Sequence, residues 1–516
     1  MQAPVLKKTR FSGILRLIFT VLMNSTTADA IASSNKIKLN AVLILLVITQ
    51  FVALVLAWRF ELTDTEAYYW TWSIKPDLGY FDHPPMISWV LTGLTSIFGD
   101  SAFVIRLPAL IGKLVSCYIF YIFCRKKLEE SEISYAFLFV FSAPVLCMGT
   151  LLSIPDVLSV PLGLAALYFL DQGETRKGAV ALGIGFLSKW SLMGLIPYFL
   201  YACWKRSKKE LFIGVLIVIF LQIPVLVWNQ QHDWATFYFQ FFKRHSHGFL
   251  TFPEYLRNLS NYVGSQFFCF GIPLVIGTVA AFFKANNEQR KYFVWTAAPM
   301  FAISFLSAIQ GQNRYYWACL NLFVMSIFIV QVFSKQIKQR SKPVWGILIF
   351  LIMTNWSLII ISTMLPVGYW FDQVTDQPNQ YRHTVGADVT GWKNWSKTIY
   401  SEKINFKKME ILASDFHIAA QVTWALGPQY LNQIRPVGSA WEPHQFGFWS
   451  ERSMNSDSVL LVADDRYDNL ASLQDECEEN VKWNRHEEKL LDKTIKVIFW
   501  SVCHKRKTAI SALISE

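Results

Sequence analysis

Long apolar runs follow one another through the first 365 residues, and nothing constrains the fold of this chain more. They fall near 40–58, 103–124, 133–152, 155–170, 178–188, 190–204, 210–228, 263–283, 292–309, 317–333 and 343–365. Runs of this length span a bilayer as helices, because lipid offers an extended backbone no hydrogen-bond partner. The chain is 53% hydrophobic and only 16% charged over its 516 residues, a balance a soluble globular protein does not need. The pattern predicts a polytopic α-helical membrane protein. The segments on either side of Lys189 are short for a bilayer and predict a broken pair or tilted helices.

Lys and Arg placement sets the orientation. RKK at 125–127, Arg176 and Lys177, KRSKK at 205–209, Lys284 with Arg290 and Lys291, and KQIKQRSK at 335–342 occupy alternate loops, which makes those loops cytoplasmic. The other loops, carrying Glu66, Asp82, Asp156, His232, His245 and Arg314, then share the outer face. Residues 1–39 read as a cytoplasmic extension, with a start at Met23 as the alternative, and residues 40–365 as the membrane domain with its first external loop at 59–102.

From Pro366 the apolar runs cease. Residues 366–516 carry 17 Lys and Arg against 20 Asp and Glu, whereas residues 1–365 carry 31 against 17. The net charge of +11 thus belongs to the membrane part and needs no nucleic-acid partner. The stretches 410–416, 457–464 and 496–503 read as strands and 417–426 as a helix, so the tail predicts a small external α/β domain. Six of the eight cysteines lie in apolar runs, as small buried hydrophobes do. Cys477 and Cys503 are the pair available for a disulfide in an oxidising compartment. Walker loops, GxGxxG and CxxC pairs are absent from the sequence, which removes nucleotide, dinucleotide and zinc-ribbon readings.

The first external loop holds TDTEAYYW (63–70) and GYFDHPPM (79–86) between two spans. Acids and aromatic rings at the edge of a bilayer are costly unless they bind something polar, so the loop reads as a site. A helix over 64–74 puts Glu66, Tyr69, Trp70 and Ser73 on one face, with Glu66 a candidate general base. Asp64 either caps that helix or supplies the carboxylate. The two prolines force Asp82 and His83 into a fixed corner. Asp156, after Pro155, is a helix cap or a functional acid. Lys189 either snorkels or meets an anion such as a lipid phosphate. Lys243, Arg244, His245, His247 and Arg257 form a cationic, aromatic-lined patch in the 229–262 loop, and Arg314 in GQNRYYW adds to it.

EAYYWTWS, GYFDHPPMISW, the acid of SIPD, the Lys of LSKW, WNQQHDW and RYYWA, in that order, resemble the bacterial GT-C type glycosyltransferases. These are related to the lipid A aminoarabinose transferases and the dolichyl-phosphate-mannose-protein mannosyltransferases. The resemblance implies a GT-C fold of about 11–13 membrane helices with an external α/β domain. It implies transfer of a sugar from a polyprenyl-phosphate donor to a lipid A, glycan or protein acceptor at the outer face of the bacterial inner membrane, with the site and the tail periplasmic. By this resemblance Glu66, Asp64 and Asp156 are the catalytic candidates, although Thr65 stands where the family carries Asp. His83, Lys189, Arg244, Arg257 and Arg314 become contacts to the donor phosphate, and Tyr68, Tyr69, Trp70 and Tyr315 line the cavity. A divalent metal ion is the one cofactor it allows, with Asp82 and His245 as candidate ligands, and no nucleotide is implied. The rival reading is a flippase for polyprenyl-linked sugars, which would spread polar residues through the midplane.

Overall fold

The computed structural model describes residues 30–243, 250–311, 315–375, 385–402, 404, 409–437, 444–449, 458–466 and 470–506, without the side chains of 30–37, Tyr315 and Thr375. Helices dominate up to Met364. Lys38–Arg59, Ala102–Lys127 and Ser341–Met364 are each long and apolar enough to cross a membrane. Three bent pairs bring the number to as many as six: Lys208–Leu221 with Ile223–Gln231, Phe252–Phe270 with Ile272–Lys284, and Asn287–Thr296 with Ala298–Ile309. The chain is a multi-pass membrane protein.

The bends have local causes. The expected continuous span at 263–283 is instead broken by 108° at Gly271, whose φ of 80° is open to glycine at little cost, and Pro273 then starts the next helix. Pro224 and Pro299 stand in the first turn of the second helix in the other two pairs, where a missing N–H does no harm. Around Lys189, Thr175–Phe186 ends in a turn, and a 3₁₀ stretch at Trp190–Leu195 leads into Ile196–Arg206.

The two ends of the bundle differ in chemistry. At one end Lys127 pairs with Asp171 at 2.7 Å, Arg176 with Glu210 at 2.7 Å, and Lys338 with Glu129 at 2.6 Å. The Ala102–Lys127 helix runs from this end to Arg106 near the other, a rise of about 30 Å or more at 1.5 Å per residue. Asp156–Asp171 runs the same way, with Asp171 at the cationic end and Asp156 at the other.

Beyond the membrane helices, a five-stranded sheet has the order β2-β1-β3-β5-β4, with β1 Glu410–Ala413, β2 Ile434–Pro436, β3 Val459–Asp464, β4 Asn484–Leu490 and β5 Lys493–Cys503. β1 is parallel to β2 and β3, while β5 is antiparallel to β3 and β4. The three strands read in the sequence are β1, β3 and β5. β2 is only three residues long and β4, NRHEEKL, is too polar to show an apolar pattern. Leu491 and Asp492 both have positive φ (49° and 61°), the two-residue turn that suits the twist of a hairpin. The Phe416–Leu426 helix is capped by Asp415, whose carboxylate accepts from the backbone N–H of His417 and Ile418.

Cys477 and Cys503 are joined as a disulfide with Cα atoms 6.2 Å apart, a separation that a disulfide spans. It ties the segment after the Leu470–Gln474 helix to the end of β5. Cys477→Ser is expected to lower the stability of the external domain by about 2–4 kcal/mol, read as earlier unfolding of that domain in thermal denaturation. Equal melting of variant and wild type would show that the bridge constrains nothing.

Candidate active site

The loop helix Asp64–Ile74 is buried all round: every residue from Glu66 to Ser73 is shielded. Its N-cap is Thr63, which corrects the expectation that Asp64 caps it. The Thr63 hydroxyl accepts from the Glu66 N–H, and the Glu66 carboxylate accepts from the Thr63 N–H at 3.1 Å, a reciprocal capping box. That carboxylate is fully buried and has further partners. Arg106 Nη2 donates to it at 2.8 Å and Nε at 3.0 Å, and the Ser153 N–H donates at 3.3 Å. Arg106 also donates to the carbonyls of Ala57, Phe60 and Glu61. Glu66 is therefore the buried tie between the loop helix, the Ala102–Lys127 helix and the segment leading to Asp156.

Asp64, in the first turn, points the other way, towards the external domain. Arg466, just after β3, donates to Asp64 at 2.9 Å, to Asp388 at 2.7 Å and to Asp464 at 2.6 Å. Burial works to raise the Asp64 pKa, but the His417 and Arg466 charges and the hydrogen bonds from Thr65 prevail and hold it below the usual carboxylate range. Asp388, in the same cluster, is pushed up by burial despite Arg466. Lys496 on β5 is driven down to about 8 by burial and by the Arg466 charge.

Tyr68 joins loop and domain from another side. Its hydroxyl donates to Asp82 at 3.0 Å and accepts from the Gln445 N–H at 3.3 Å. Burial and the Asp82 carboxylate raise its pKa and keep the phenol protonated. The ring packs edge-on against Phe416, and Phe416 lies with its ring centroid 3.9 Å from both His417 and His444. Gln445 accepts from the Phe81 N–H at 2.8 Å, and Gln421 donates to the Leu62 carbonyl at 3.0 Å. Trp70 donates to Asp100 at 2.8 Å. Tyr69 lies against His83, with ring centroids 5.9 Å apart.

Asp156 is the first residue of its helix rather than the cap, which is Pro155. It forms a buried ion pair with Lys189, and the Lys189 ammonium also sits 4.7 Å from the Tyr316 ring centroid. The anion that Lys189 meets is a protein carboxylate. Met86, just after the double proline, donates its N–H to the Leu187 carbonyl at 3.0 Å, so the loop and the Lys189 turn are in direct contact.

A family model described as dolichyl-phosphate-mannose-protein mannosyltransferase matches residues 82–228. The lipid A galacturonosyltransferase RgtD of Rhizobium johnstonii is 26% identical over 287 residues, 50% of this chain and 59% of that protein. An undecaprenyl phosphate-alpha-4-amino-4-deoxy-L-arabinose arabinosyl transferase of Pseudomonas fluorescens is 23% identical over 361 residues, 56% of this chain and 60% of the relative. The matched stretches therefore span less than two thirds of these relatives. The crystal structure of ArnT from Cupriavidus metallidurans bound to undecaprenyl phosphate superposes with a TM-score of 0.60, covering 89% of this chain and 97% of that one at 13% identity. The fold is of the GT-C type.

Within this GT-C fold, Asp64, Glu66, Tyr68, Tyr69, Trp70, Asp82, His83, Asp156 and Lys189 gather at one end of the bundle, beneath the external domain. Arg257 is exposed, in the Phe252–Phe270 helix next to a capping box made by Thr251 and Glu254. Arg244, His245, His247, Arg314 and the side chain of Tyr315 lie outside the described residues. Among the described residues no three His, Cys, Asp or Glu side chains lie close enough to hold a metal ion. Asp82 instead accepts from Tyr68 and faces His444 Nδ1 at 3.8 Å. The other expected metal ligand, His245, lies outside the described residues.

Arg106, Arg466, Asp388 and Gln445 were missed in the sequence. Arg106 had a signal, since a charge in AFVIRLPALIG sits inside a span where an ionisable group needs a partner. Arg466 and Gln445 lie in segments whose pairing depends on the tertiary fold.

Proposed function

We propose that this protein transfers a sugar from a polyprenyl-phosphate donor to lipid A at the periplasmic face of the bacterial inner membrane. The observation that carries the reading is the concentration of three acids and their cations at one end of a GT-C bundle, under a domain that closes over them. The name of the Rhizobium relative favours lipid A as acceptor, and the two names together favour a uronic or amino sugar as the group moved. The disulfide suits an oxidising compartment, and the cationic loops at the opposite end suit the cytoplasmic side.

In the proposed reaction the acceptor oxygen attacks the anomeric carbon, the bond from that carbon to the donor phosphate oxygen breaks, and polyprenyl phosphate leaves with the bonding pair. The acceptor proton passes to a base or to solvent. Glu66 is enclosed by Arg106, Thr63 and Ser153, so its role here is to position the loop helix. Asp64 is the more accessible carboxylate of the two, with its side chain 15% exposed. Held ionised, it stabilises positive charge growing at the anomeric carbon and orients the acceptor. Lys189 exchanges its contact with Asp156 for the leaving phosphate, which frees Asp156 for the acceptor. His83 sits close enough to the Tyr69 ring to flank the sugar.

Mass spectrometry of lipid A and of polyprenyl-linked sugars from a null strain, with and without the wild-type gene, tests the reading. Loss of a sugar mass from lipid A in the null, with the lipid-linked donor persisting on the outer face, is the expected result. Unchanged lipid A with donor retained on the cytoplasmic face would make the protein a flippase and overturn the proposal.

A further inference from the structure

A cavity of about 400 Å³ opens at the end of the bundle opposite the acid cluster. Its rim carries Lys205 and Arg206 from the Ile196–Arg206 helix and Lys291 from Asn287–Thr296, all exposed, with Glu288 as the one acid at the rim. Its walls include Tyr201 and Trp295, which stack at 5.1 Å and 16°. Its floor is Asp171, which Lys127 neutralises at 2.7 Å and to which the Tyr198 hydroxyl donates at 3.3 Å. Three cations thus ring a pocket whose inner acid is already compensated, and the pocket has aromatic sides and polar groups at its base. Phosphate with hydroxyls attached suits such a lining, because the rim cations meet the anion and the floor meets the hydroxyls. Tyr201 and Trp295 are of the residue types enriched at headgroup depth.

We infer that this cavity binds the headgroup of an anionic glycerophospholipid of the inner leaflet, with the phosphate against Lys205, Arg206 and Lys291 and the glycerol hydroxyls directed to Asp171 and Tyr198. It is separate from the acid cluster, so the inference stands whatever reaction that cluster performs. A neutral, choline-bearing headgroup presents no net charge to the rim and lacks the hydroxyls.

Native mass spectrometry of the detergent-solubilised full chain, titrated with phosphatidylglycerol, phosphatidylcholine or soluble glycerol 3-phosphate, reads the binding directly. Phosphatidylglycerol is expected to be retained at least tenfold better than phosphatidylcholine, and the triple variant K205Q/R206Q/K291Q to lose that preference. Tighter retention of glycerol 3-phosphate than of the lipid would reassign the cavity to a soluble phosphate ester and overturn the lipid reading. Equal retention of both lipids, or a preference unchanged in the triple variant, would overturn the site itself. Should the triple variant not fold, Lys291→Gln alone is expected to lower the preference several-fold with an unchanged melting temperature, and no change there is equally decisive.

Discussion

Replacing Arg106 with Met is expected to destabilise the protein by about 3–5 kcal/mol, because it leaves the Glu66 carboxylate buried with its charge uncompensated. The ion pair is 2.8 Å long, with side chains 4% and 0% exposed, so water cannot replace the guanidinium. Arg106 also carries hydrogen bonds to three carbonyls at the end of the first span, and those lose their donor in the variant. The double variant Glu66→Gln/Arg106→Met is expected to recover much of the loss, since the amide still serves the capping box and no lone charge remains. Thermal unfolding in detergent, followed by tryptophan fluorescence, measures both. An Arg106→Met protein as stable as wild type would mean that the pair is not the tie between loop and bundle described above.

Asp64→Asn should behave in the opposite way, with turnover falling by about 10²- to 10⁴-fold while the fold survives. The asparagine keeps the shape of the side chain, and Arg466 retains Asp388 and Asp464, so no buried charge is stranded. A loss confined to kcat, with KM for the donor little changed, would match a carboxylate that acts mainly at the transition state. Full activity in Asp64→Asn together with a catalytically dead but stable Glu66→Gln would reverse the roles assigned to these two acids. The comparison separates positioning from chemistry because the two residues, both in the first turn of one helix, face different parts of the protein.

Much of this architecture was legible in the sequence. Apolar length announces a span whatever its neighbours, so Ala102–Lys127 and Ser341–Met364 appear almost where the runs placed them. Breaks within spans are harder to read, since Gly271 acts through backbone freedom in a segment whose composition stays apolar. The loop was recognised from its acids and aromatic rings, yet which acid is enclosed and which is open depended on partners 40 to 400 residues away. Glu66 looked like a base because periodicity places side chains on faces and says nothing of what covers them. Thr65, the departure from the family pattern, is itself involved: its hydroxyl donates to Asp64 at 3.0 Å.

The enclosure of the loop helix bears on how the protein is made. Its lower face is sealed by Arg106 and the bundle, but its upper contacts, through Phe416, Gln421, Gln445 and Arg466, come from residues synthesised some 350 or more positions later. A ribosome adds these residues at about 5–20 per second, so the loop waits tens of seconds, half covered, at the membrane surface. During that interval its aromatic side chains have lipid headgroups and translocation partners for company rather than the sheet they finally meet. The loop helix is enclosed only once the tail has folded against it, which makes folding of the last domain the step that separates an inserted chain from a finished one.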